Sequence, residues 1–194
     1  MLKIIEGHNG SDYFWIMPVK IKDMNKNTDN SNNVIECREL EISINEDTID
    51  LFLRPILIEC FNDYLPENEA RQIGFMNYIN PEAYTSFEWN LTYNYFSFDD
   101  VKKIINQVEM VKQLLVENKT NEKFAEIEKL VYWLPKYLTG EEYGPINYQG
   151  TQEELIESRK KDVLEFYNDF IEYMQNMLKE GEKLGYNLIS FMGP

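Results

Sequence analysis

An α+β fold is what this sequence predicts, with an antiparallel sheet from the N-terminal half packed against helices mainly from the C-terminal half, and three observations carry it. Apolar residues alternate singly in the first third, where Val19 and Ile21 are set against Lys20 and Lys22, and Leu40, Ile42 and Ile44 against Glu39, Glu41 and Ser43. From Thr48, and again from Ser97 onward, they recur at the i, i+3, i+4, i+7 spacing of helices with one buried face. Hydrophobic residues fill 43 % of the 194 positions and aromatics 14 %, enough to bury the core of a single domain over residues 1–194. Strand-rich sequence comes first and helix-rich sequence follows, with the change near residue 97.

The first strand is Tyr13–Lys22, rich in aromatic and β-branched residues. Pro18 lies inside it and has no N–H to give a ladder, which predicts an edge strand or a bulge there. Asn25–Asn33 collects turn formers and reads as a hairpin loop, after which Asn33–Ile44 returns as a strand. Ile49, Phe52, Leu53, Ile56, Leu57, Cys60, Phe61 and Tyr64 then form a helical stripe. Pro55 falls within that stripe and predicts either a kink or a helix that starts near it. A further, aromatic strand spans Phe87–Phe96, with Phe87, Trp89, Leu91, Tyr93 and Tyr95 on one side.

Ser97, Asp99 and Asp100 make a helix start, a serine cap followed by acids at the positive end of the dipole. Val101, Ile104, Ile105, Val108, Val111, Leu114 and Leu115 continue its apolar stripe. A second helix from about Thr120 carries Phe124, Ile127, Leu130 and Val131 and is expected to stop near Pro135. The segment Tyr137–Gly150 holds Gly140, Gly144, Pro145 and Gly150 and reads as the main irregular loop. Thr151 and Glu154 spell a capping box before a long helix through Leu155, Val163, Phe166, Tyr167, Phe170, Ile171, Met174, Met177 and Leu178, ending at Gly181 or Gly185. The apolar tail Tyr186–Pro194 is expected to dock on the body.

Residues that could carry chemistry are few. His8 is the single histidine, and with Cys37 and Cys60 dispersed it supplies no zinc set, so no metal and no cofactor are expected. Ser11, His8 and Asp12 are too close in sequence for a catalytic triad, and no nucleophile elbow is present. Neither phosphate-binding glycine motif occurs. Both cysteines are expected to be buried, reduced thiols. Trp15, Trp89 and Trp133 have apolar neighbours and read as core residues. Of the carboxylate pairs, Asp99–Asp100 and Glu153–Glu154 serve helix starts, whereas Glu141–Glu142 has no such role and is flanked by Tyr137, Tyr143 and Tyr148. Those five residues, with Glu39 and Glu41 on the sheet, are the candidate partner-binding residues.

The acidity is spread along the chain. Thirty-four acids oppose 19 bases for a net −15, with 16 against 7 in residues 1–97 and 18 against 12 in residues 98–194. A surface of that sign disfavours nucleic acid and anionic membrane as partners. Glu6 and Asp12 interrupt the N-terminus before any signal-peptide core, and no apolar run is long enough to span a bilayer, so the expected location is the cytoplasm. A folded acidic protein without catalytic groups fits a basic protein partner, because complementary potentials speed association and fix register.

Three stretches carry a resemblance: the opening block Gly7 to Trp15, the run Phe87 to Leu91 leading into Phe98–Asp100 and a long helix, and the end Ile189 to Pro194. In these the chain resembles small acidic immunity proteins of bacterial polymorphic-toxin loci. The 20 asparagines also match an AT-rich bacterial genome. The resemblance implies a non-catalytic cytoplasmic protein that blocks a toxin domain or nuclease. Two other readings stand beside it: a small carboxylate-dependent hydrolase or metal-binding enzyme centred on Glu141, and an oligomeric structural protein.

Overall fold

The computed structural model describes residues 13–22, 34–45, 48–53, 56, 60, 93–117, 134–141 and 148–192. Five strands and three helices are labelled in chain order: β1 Tyr13–Ile21, β2 Val34–Glu36, β3 Ile42–Asn45, β4 Tyr93–Ser97, α1 Phe98–Glu117, α2 Leu134–Thr139, α3 Gln152–Lys183 and β5 Leu188–Met192. All strand pairings are antiparallel, in the order β2-β1-β5-β4, with β3 also paired to β1. The α+β architecture read from the sequence is therefore the one present, with one addition. The tail enters the sheet as β5, between β1 and β4, and pairs Ile16 with Phe191 and Phe96 with Ile189.

Three local features depart from the periodicity argument. The stretch expected as one strand from Asn33 to Ile44 is two short strands separated by a 3-10 turn, Arg38–Leu40, so Glu39 and Leu40 leave the ladder. That break explains how Pro18 sits inside a central strand. Its carbonyl accepts from the Cys37 amide at 2.8 Å, and a strand residue points its N and O to the same side. The missing proline donor thus faces the gap between β2 and β3. Pro135, expected to end a helix, instead occupies the first turn of α2, where no N–H is required. The third is Trp15, read as core, which lies 38 % exposed on β1. Pro55, Asn25–Asn33, Phe87–Leu91, Trp89, Trp133 and the helix from Thr120 lie outside the described residues.

α1 and α3 cover one face of the sheet. Phe14, Ile16, Ile44, Phe96, Ile189 and Phe191 meet Val101, Ile104 and Val108 of α1 and Val163, Phe166, Phe170 and Met174 of α3 in one apolar cluster. Aromatic rings fill much of it, including Phe96 edge-to-face on Phe191 at 5.0 Å. A turn of π-helix, Ile49–Leu53, joins the same cluster through Ile49, Phe52 and Leu53. The Tyr167 hydroxyl donates to the Phe52 carbonyl at 3.1 Å, tying that turn to α3. On the opposite face Met17, Val19, Ile21, Tyr95 and Leu188 form a smaller cluster.

The helix caps follow the sequence closely. The Asp100 amide donates to Ser97 Oγ at 3.2 Å, and the same hydroxyl donates to the Asp100 carboxylate. Both halves of the capping box on α3 are made, Glu154 N to Thr151 Oγ1 at 3.2 Å and Thr151 N to Glu154 Oε2 at 2.8 Å. At the other end α3 passes through Gly181 and stops with Gly185 at φ +81. Tyr186 N donates to the Gly181 carbonyl at 2.9 Å and Gly185 N to that of Glu182 at 3.0 Å. This Schellman pairing turns the chain directly into β5.

Candidate functional site

The C-terminal end of α2 is held against α3. α2 ends at Gly140, in the left-handed region at φ +78, where a Cβ would approach Leu155 Cδ2 to 2.9 Å. Two α3 side chains then take up its terminal carbonyls: Arg159 donates to Tyr137 O and Gln152 to Thr139 O. The Arg159 guanidinium also lies over the Tyr137 ring, 4.5 Å from its centroid. Arg159 is itself buried, and Tyr137 packs edge-to-face on Phe52 at 5.1 Å. Burial pushes the Tyr137 phenol above its ordinary range, with the Arg159 charge opposing the shift and Asp162 adding to it. Tyr137 thus lies in the core.

The remaining candidates divide between two places. Glu141 is exposed at one end of the loop and Tyr148 is exposed at the other. Glu142 and Tyr143 lie outside the described residues. Glu39 is exposed on the 3-10 turn beside the sheet, and Glu41 is half-buried just after it. Arg38 stands between acids there, 2.7 Å from Glu36 and 3.7 Å from Glu41, so part of that charge is neutralised locally. Glu39 and Glu41 lie on or just after the 3-10 turn and Glu141 and Tyr148 between α2 and α3, and no described hydrogen bond or ion pair joins the two pairs.

Periodicity aimed at the core passed over a third group, on the solvent side of α3. Asp162, Glu165, Asp169 and Glu172 are all exposed, spaced at i, i+3, i+7 and i+10, which places them on one strip about 15 Å long. Asn168, half-exposed Tyr173 and Asn176 border the strip. These acids lie beyond the first turn, so the helix dipole does not account for them. None of the four takes part in a described ion pair, in contrast to Lys160 with Glu157 and Lys183 with Glu180 toward the two ends. The signal was present in the sequence: residues 162–178 contain four acids and neither lysine nor arginine.

Chemically, the strip and the loop offer carboxylates to solvent and no activated nucleophile. Among the described residues no group of three or more His, Cys, Asp and Glu is arranged to hold a metal ion. Cys37 is buried and Cys60 half-buried, and neither is in a disulfide. His8, Ser11 and Asp12 lie outside the described residues. Among those described, no helix is long and apolar enough to cross a membrane. Comparison of the chain with protein-family models, with curated proteins and with solved structures found no match in any of the three.

Proposed function

We propose that this chain is a non-catalytic acidic binding protein of the immunity type, which neutralises a basic protein partner such as a toxin domain or nuclease in the cytoplasm. The observation that supports this reading most directly is the exposed strip Asp162, Glu165, Asp169 and Glu172, four carboxylates on one helix that Lys160 and Lys161 border at one end and that no base interrupts from residue 162 to residue 178. Like charges three and four residues apart destabilise a helix by ~0.2–0.5 kcal/mol a pair, so the strip opposes folding and is accounted for by a cationic partner. Glu141 and Tyr148, both exposed, add one more carboxylate and an aromatic ring of the kind interfaces favour.

The test begins with capture of partners from the native host at low salt, followed by titration of the purified partner against the wild-type chain and the variant D162N/E165Q/D169N/E172Q. The expected partner is basic, and the variant binds it about tenfold more weakly, equivalent to ~1.4 kcal/mol. That gap should narrow as salt is added, because exposed charges are screened. Failure to capture a basic protein overturns the reading, and equal affinity of the two chains at low salt overturns the strip as its binding surface.

A further inference from the structure

We draw no further inference here: the strongest candidate, the open groove of about 610 Å³ between the first turn of α1 and the last turns of α3, sets Lys102 and Lys179 against Asp99 and Glu182, with Asp99 and Lys102 already paired at 2.8 Å, and nothing in the structure shows what covers its apolar floor of Phe98 and Leu178.

Discussion

At the scale of single residues, Arg159 and Tyr167 each hold a distant piece of chain to α3 through one backbone carbonyl. Arg159 offers the Tyr137 carbonyl a charged donor and the Tyr137 ring a cation face, both from within the protein. A lysine keeps the charge but has neither the planar face nor the fork, so Arg159→Lys should cost ~1–3 kcal/mol in denaturant unfolding. The same variant should speed amide exchange in α2 ahead of the sheet, and equal protection in both would refute the clamp. Tyr167 is fully buried, and its hydroxyl meets the Phe52 carbonyl. Tyr167→Phe should therefore cost ~1 kcal/mol at neutral pH by removing that hydrogen bond. Burial also raises the Tyr167 phenol far above its ordinary value near 10. Above pH ~10 the unfolded chain loses this proton while the folded chain keeps it, so stability falls as pH rises. Melts at neutral pH and at increasing alkaline pH should show a shallower decline for Tyr167→Phe than for wild type.

At the scale of elements, two glycines separate backbone strain from crowding. Gly140 and Gly185 both have φ near +80, yet a Cβ at Gly185 meets nothing within 4 Å, whereas one at Gly140 runs into Leu155. Gly185→Ala should cost ~1 kcal/mol, the usual penalty for a side chain in the left-handed region. Gly140→Ala should cost more by the additional displacement of Leu155. Thermal melts of the two variants check the order, and a reversed order would mean that the α2–α3 junction yields freely. The caps bounding these helices were legible because a cap is a local interaction, set by residues such as Thr151 and Glu154 three positions apart. β5 was not, since Leu188–Met192 is covered on both faces and, apolar except for Ser190, shows no regular alternation. The turn at Arg38–Leu40 escaped for a related reason. Leu40 keeps the strand period in sequence, and only the partner strand β1 reveals that pairing lapses between Ile16 and Val19. Tyr137 was misjudged as a loop residue because the glycines after it gave no sign that Arg159, 22 positions on, would seat it in the core.

At the scale of the whole molecule, a net −15 on 194 residues sets folding against solubility and association. The unpaired strip on α3 concentrates that conflict, because its four acids repel one another along a helix whose opposite face is fixed in the core. Neutralising them in D162N/E165Q/D169N/E172Q relieves three close repulsions and should stabilise the free protein by up to ~1 kcal/mol at low ionic strength. The gain should shrink between about 0.01 M and 0.15 M salt, as the screening length falls from about 30 to about 8 Å. If the strip is retained for a basic partner, the same substitutions must weaken the complex while they strengthen the fold, the opposing pair of effects expected where binding surfaces are kept at the expense of stability. Chemical denaturation of the free chain and partner titration, run on one variant in one buffer series, measure both effects together. A stabilised variant with unaltered affinity would make the strip a solubility device and move the interface elsewhere, with the Glu141 and Tyr148 loop ends next to be substituted. A variant no more stable than wild type at low salt would mean that the strip carries no repulsive cost, and the physical argument for a cationic partner at α3 would fall with it.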